Sequence, residues 1–269
     1  MALPPPGDSS TCVVTGASSG IGAEIARELA KRGQNLTLVA RRADRLRALA
    51  EELERDHGVR VEVSVADIAT GEGRAGLIAE LAERGRDVEV LVNNAGFGSV
   101  GRFQELDAAK ETLMVRTNCE AIVALCGEYV PKMVERGRGG VLNVGSTASF
   151  QPLPFQATYS ASKAFVLTFT EALSADLHGT GVTATVLCPG PVPTEFTEVA
   201  GIGNGSWDDV PSFMVTTAEQ NAAAGVEGLE KGKRVVIPGL LNHVSATAGQ
   251  YTPRALLLGM MRRFYPVRR

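Results

Sequence analysis

The chain has 269 residues, a formal net charge of −3 and 44% apolar residues, which suits one large α/β domain or two small ones with a sizeable core. A near-neutral charge gives no global electrostatic case for nucleic-acid binding. No stretch reaches the ~20 apolar residues of a membrane span, and the opening MALPPPGDSS lacks the basic and apolar regions of a signal peptide, so a soluble, cytoplasmic protein is expected.

Residues 1–10 are rich in Pro, Gly and Ser and read as a flexible N-terminal arm before a single domain, 11–269. TCVVTG (11–16) is a β-branched run and predicts a strand. Residues 20–33 carry a helical pattern (Ile21, Ile25, Leu29), and NLTLVA (35–40) a second strand. Residues 43–57 put Leu46, Leu49 and Leu53 on one helical face, followed by a strand at 59–67 and a helix at 71–85. The alternation continues: strand 88–96, helix 107–136, strand 140–146, helix 156–179, strand 182–190, helix 217–231 and strand 234–238. Strict alternation with apolar strands predicts a doubly wound α/β fold, a parallel sheet with helices on both faces. The four cysteines (Cys12, Cys119, Cys126, Cys188) have no metal-ligand spacing, which predicts reduced thiols, at least two of them buried, and no metal site. The histidines His57, His178 and His243 have no partner pattern.

Ligands of such sheets bind beyond the carboxyl ends of the strands. After the first strand comes TGASSGIG (15–22), with Gly16, Gly20 and Gly22 ahead of a helix. Its spacing is not G-x-G-x-x-G, but a strand–turn–helix context makes a diphosphate cradle; the ordinary alternative is a Gly-rich turn. After the second strand stand Ala40, Arg41 and Arg42, where NAD-binding sheets carry an acid for the ribose 2′-hydroxyl. A missing acid plus two cations favours NADP(H) over NAD(H). Asp67 follows the third strand, either near an adenine or as a cap of the next helix. NNAG (93–96) follows the fourth, Ser146 the fifth and PGPVPTEF (189–196) the sixth. Asn118 lies inside a helical stretch, where Asn competes with the backbone for hydrogen bonds.

YSASKA (159–164) places Tyr159 and Lys163 four apart, on one face of a helix. An ammonium beside a phenol lowers its pKa, so the pair is a tuned proton donor or an ordinary surface pair. TGASSGIG, NNAG, Asn118, Ser146, YSASK and PG-x-V-x-T, in this order and at these strand ends, together resemble the short-chain dehydrogenase/reductase superfamily over residues ~11–239. The resemblance implies a single-domain Rossmann fold with a seven-stranded parallel sheet, and interconversion of carbonyls and alcohols with a nicotinamide cofactor. It implies Tyr159 as acid or base, Lys163 lowering its pKa and bonding the nicotinamide ribose, Ser146 holding the substrate oxygen and Asn118 positioning a water that links Lys163 to solvent. Gly16, Ser18, Ser19, Gly20, Ile21 and Gly22 would cradle the diphosphate. Arg41 and Arg42 would meet the 2′-phosphate, Asp67 the adenine, Asn94 the cofactor floor, and Pro189, Gly190, Val192 and Thr194 the nicotinamide.

The loop 191–216 is where a substrate lid would lie. It holds Phe196, Val199, Ile202, Trp207, Phe213 and Met214, with Phe97, Phe150 and Phe155 near the motifs, which predicts an apolar pocket for a small apolar carbonyl or alcohol. Ketoacyl, aldehyde and steroid-like substrates all fit that description. From Lys231 on there is no acidic residue, and 255–266 reads as an amphipathic helix. This basic stretch (240–269) packs on its own domain, meets a subunit partner, or touches an anionic membrane surface or an acyl carrier. The family habit is a homodimer or homotetramer through the helices around 107–136 and 156–179. The alternative function is a non-catalytic NADP-binding redox sensor or scaffold, against which the presence of both Tyr159 and Lys163 counts.

Overall fold

The computed structural model describes residues 3–196 and 214–264, with side chains through residue 261. Among these, seven strands form one parallel sheet: β1 (Ser10–Thr15), β2 (Leu36–Ala40), β3 (Val61–Val65), β4 (Asp87–Asn93), β5 (Gly139–Val144), β6 (Val182–Leu187) and β7 (Val235–Val236). The order is β3-β2-β1-β4-β5-β6-β7, and each neighbouring pair is parallel. Parallel neighbours need long crossovers. They are supplied by α1 (Gly20–Lys31), α2 (Ala43–His57), α3 (Gly71–Glu83), α4 (Ala108–Val115), α5 (Ala121–Arg136), α6 (Ala157–Asp176) and α7 (Ala218–Glu230). The winding reverses between β1 and β4, and a crevice opens beyond the carboxyl ends of the strands at such a reversal.

Alternate side chains of each strand feed two cores. Cys12 and Val14 of β1 join Ile25, Leu29, Leu46, Leu53 and Val226 from α1, α2 and α7 on one face. Val13 joins Leu77, Leu81, Leu125, Met133 and Val166 from α3, α5 and α6 on the other. Within the second layer runs a buried polar chain. Asn93 Nδ2 donates to Asn143 Oδ1 (2.8 Å), Asn143 Nδ2 to Thr170 Oγ1 (2.9 Å), and Thr170 Oγ1 to the Val166 carbonyl (2.6 Å). These side chains lock β4, β5 and α6 in register, and those elements carry the site.

Several sequence expectations are corrected. Residues 3–9 lack regular structure but are not a loose arm. Leu3 packs on the core, Gln34 donates to the Pro4 carbonyl (3.0 Å), and Arg60 and Arg86 donate to the Asp8 carbonyl (2.7 and 3.2 Å). The helix expected at 107–136 is α4 and α5 joined by a π-helical turn over Arg116–Glu120. The basic end is two helices, α8 (Leu240–Tyr251), which hydropathy patterning did not reveal, and α9 (Arg254–Phe264). Leu240 and Tyr251 of α8 are exposed, so no apolar periodicity marks it. Cys12, Cys126 and Cys188 are buried, Cys119 is half-buried, and all are free thiols. No helix among the described residues is long and apolar enough to cross a membrane, and no metal-binding cluster occurs among them.

Removing Asn143 leaves its buried partners short of a hydrogen bond. Asn143→Ala lowers the unfolding free energy by about 1–3 kcal/mol, read from urea denaturation with an unchanged slope.

Candidate active site

The site begins where β1 meets the Gly-rich turn. Gly16 has φ +68°, and a Cβ there would lie 2.8 Å from both Ala95 Cα and Asn94 Nδ2. Only glycine fits that backbone and that approach. The same contacts explain Asn94: its Nδ2 donates to the Thr15 and Gly16 carbonyls (2.9 and 3.3 Å), while Thr15 Oγ1 accepts from the amides of Asn94 and Ala95 (3.0 and 3.2 Å). The ends of β1 and β4 are thereby stitched into one floor. A Cβ on Gly22 would strike Gly16 O and Asn94 Nδ2, so α1 also depends on glycine to approach this floor. Ser19 at the cap of α1 makes no side-chain cap bond, and the first turn has no acid. Helix N–H groups and a positive dipole end left this way suit a diphosphate.

The two arginines after β2 part company. Arg42 reaches back to the Gly-rich turn, with Nε 3.1 Å and Nη2 2.9 Å from Ser18 Oγ and Nη2 2.8 Å from Ser19 Oγ. Arg41 is 74% exposed, with Asp67 at 3.9 Å. Sequence spacing treated them alike; the structure puts Arg42 beside the cradle. Asp67 does not cap α3, a role Thr70 takes by accepting from the Gly73 amide (3.0 Å). Instead Asp67 Oδ1 accepts from the Ala69 amide (3.1 Å) at the edge of the crevice.

On the other side of the crevice, Ser146, Tyr159, Lys163 and Asn118 come together from three elements. Ser146 caps a short 3₁₀ turn, Thr147–Phe150, with Ser146 Oγ accepting from the Ala148 amide (3.1 Å) and Ser149 Oγ accepting from the Ser146 amide (3.2 Å). Ser146 lies beside the Tyr159 phenol, where its hydroxyl works against the burial that raises the phenol pKa. Lys163, 5% exposed on α6, donates from Nζ to the Val144 carbonyl (2.8 Å) and lies 6.0 Å from the Tyr159 ring centroid. Asn118 sits in the π-helical turn, fully buried. Its Oδ1 accepts from the Phe97 amide (3.2 Å), and its Nδ2 donates to the Phe97 carbonyl and Ser162 Oγ (both 3.0 Å). The widened turn releases Asn118 from the ordinary helix pattern and aims it across the site. A Cβ on Gly96 would meet Asn118 Oδ1 at 2.9 Å and Lys163 Nζ at 3.5 Å, which closes the cluster.

In the protein alone, burial pushes Tyr159 up to about 12 and draws Lys163 down to about 8.

Three groups were missed by sequence reading. Cys188, buried behind Ser146, is hydrogen-bonded to the Ser146 backbone and the Ser149 side chain. Asn242 donates to the Met214 and Pro238 carbonyls (3.1 and 3.0 Å) and packs on Gly190, pinning both ends of the loop after β6. Glu195 pairs with Arg42 (2.7 Å) and Arg45. Glu195 lies within PGPVPTEF, but nothing in that stretch shows that its carboxylate meets Arg42 and Arg45. Pro189 accepts from the Thr147 amide (2.8 Å), Val192 is buried, and the Thr194 methyl would lie 3.3 Å from a Cβ on Gly20. Phe196 packs on Tyr159, with centroids 5.5 Å apart at 51°. Val199, Ile202, Trp207 and Phe213 of the expected lid lie outside the described residues.

A sequence model described as short chain dehydrogenase matches residues 10–202. Sulfoacetaldehyde reductase 2 of Chromohalobacter salexigens is 40% identical over 203 residues, 75% of this chain and 80% of that protein. Very-long-chain 3-oxoacyl-CoA reductase of Anas platyrhynchos is 33% identical over 244 residues, 87% of this chain and 73% of that protein. A short-chain dehydrogenase from Sphingobium yanoikuyae, solved in complex with NADPH, superposes with a TM-score of 0.80 at 33% identity, covering 97% of each chain.

Lys163 gives a pH signature. Its folded pKa of about 8 lies below the unfolded value of 10.5, so the folded state releases a proton earlier and gains stability from this group as pH rises through that window. The stability of Lys163→Met relative to the unaltered protein falls between pH 8 and 10.5, as measured by urea denaturation at several pH values.

Proposed function

The chain belongs to the short-chain dehydrogenase/reductase family and is an oxidoreductase acting on CH–OH groups and carbonyls; from that premise we propose that it reduces an apolar ketone or aldehyde with NADPH, through Tyr159 as proton donor. The observation that supports this reading is the grouping of Ser146, Tyr159 and Lys163 opposite a glycine cradle at the helix N-terminus. The nicotinamide cofactor, when bound, supplies the hydride. Tyr159 gives its phenolic proton to the carbonyl oxygen as negative charge develops there. Ser146 donates a second hydrogen bond to the same oxygen. A phenol held at about 12 is protonated at any working pH, as reduction requires. Lys163 is largely protonated at neutral pH and stands beside the phenolate left by the transfer. Asn118 and Gly96 keep the lysine end of the site in place.

Arg42 is the anchor for a 2′-phosphate, since its guanidinium is placed against the Gly-rich turn and no acid stands at the end of β2. That supports preference for NADP(H) over NAD(H). The substrates named for the relatives range from sulfoacetaldehyde to very-long-chain 3-oxoacyl-CoA. Phe196, tilted against Tyr159 with Gly98 beside both rings, favours the apolar end of that range. Val115, Val123 and Phe165 are exposed on the π-helical junction of α4, on α5 and on α6, which supports a homo-oligomer through those elements.

Tyr159→Phe lowers turnover by about 10²-fold or more with NADPH affinity nearly unchanged, read by steady-state kinetics beside fluorescence titration; loss of cofactor binding as well makes the tyrosine structural. Arg42→Ala weakens NADPH by about tenfold, the size of a charge-assisted contact, and leaves NADH little changed. Equal losses for both would sink the cofactor assignment.

A further inference from the structure

One short segment touches every part of the crevice. Thr194 lies on Gly20 of the cradle, Glu195 is shared between Arg42 and Arg45 of the β2–α2 corner, and Phe196 covers the ring of Tyr159. The carboxylate of Glu195 reaches across 153 residues of sequence to the guanidinium assigned above to the 2′-phosphate. The other charges at this corner are Arg41 and Asp67, which face each other at 3.9 Å, so Glu195 is the one acid that bonds Arg42 among the described residues.

Magnitudes decide what such a pair can do. Arg42 is 44% exposed and Glu195 39%. An ion pair this open is worth little and is screened by salt. A phosphate offers more charge and three acceptor oxygens to the guanidinium fork. The carboxylate and the phosphate need the same donors, and the phosphate is the stronger ligand.

We propose that Glu195 is a specificity-determining residue for the cofactor: it occupies Arg42 in place of a 2′-phosphate and is displaced by it, so that NADP(H), and not NAD(H), frees the segment that lies over Tyr159. This rests on Arg42 as the 2′-phosphate anchor. In the protein alone, Glu195 supplies that guanidinium with an anion and holds 194–196 down on the cradle. When a 2′-phosphate takes Arg42, Glu195 keeps only Arg45, and the 194–196 segment loses an ionic tether. A cofactor without that phosphate leaves the pair intact and the tyrosine covered. Cofactor choice and access to the proton donor are thus set by one carboxylate.

The test uses the intact chain and its Glu195→Gln variant at low ionic strength, titrated calorimetrically with adenosine 2′,5′-bisphosphate and with adenosine 5′-monophosphate. The variant binds the bisphosphate about three- to tenfold more tightly, the scale of an exposed charge network, and the monophosphate as before. Hydrogen exchange of the 194–196 amides rises when the bisphosphate binds the unaltered protein and is already high in the variant. If the unaltered protein prefers the bisphosphate but Glu195→Gln changes neither affinity, or both alike, Glu195 does not compete and the proposal is wrong while the Arg42 anchor stands. If neither protein prefers the bisphosphate, the anchor fails and the proposal falls with it.

Discussion

A buried ammonium is the constraint around which this site is arranged. Lys163 is 5% exposed and donates to the Val144 carbonyl at 2.8 Å. Burying a charge is costly without an oxygen partner, so β5 must end with that carbonyl unused by the sheet. The ammonium also needs room. Gly96 gives it by having no side chain, since a Cβ would stand 3.5 Å from Nζ. The same residue would crowd Asn118, which is why the helix α4–α5 opens into a π turn there and spends its asparagine on the Phe97 backbone. The Val144 carbonyl, Gly96 and the π turn at Asn118, far apart in sequence, all gather around one cation.

The floor beneath the crevice obeys a different rule, that of close backbone approach. Gly16 and Gly22 bring α1 against the end of β4, and Asn94 with Thr15 satisfies the backbone groups exposed by the turn. The buried chain Asn93–Asn143–Thr170 carries the same register through β4, β5 and α6. Ser146 follows β5 and Tyr159 opens α6, so their placement beside each other is set by the sheet as much as by their own turns. Polar groups in a core cost stability when unpaired and give precision when paired; here the precision falls on the proton donor.

The fold was legible because each element carries its own local signal. Seven strands and the helices between them show period and punctuation, and the motifs fall at strand ends by count alone. Tyr159 and Lys163 were legible as a pair because four residues is a helical repeat. What was not legible depends on distance in space. Arg41 and Arg42 are neighbours in sequence, and only the turn into α2 sends Arg42 to the cradle and Arg41 to solvent. Glu195 meets its partners 150 and 153 residues away. α8 escaped notice because its apolar residues face outward, with Leu240 and Tyr251 exposed.

The most direct measurement is NADPH oxidation by the purified chain across a panel of carbonyls, from short polar aldehydes to long-chain and polycyclic ketones. The account predicts turnover that rises with the apolar size of the substrate, because Phe196 and Gly98 present an apolar wall to the oxygen held by Ser146 and Tyr159. Tight NADPH binding with no turnover on any member of the panel would contradict it, leaving a protein that holds the cofactor without using its tyrosine.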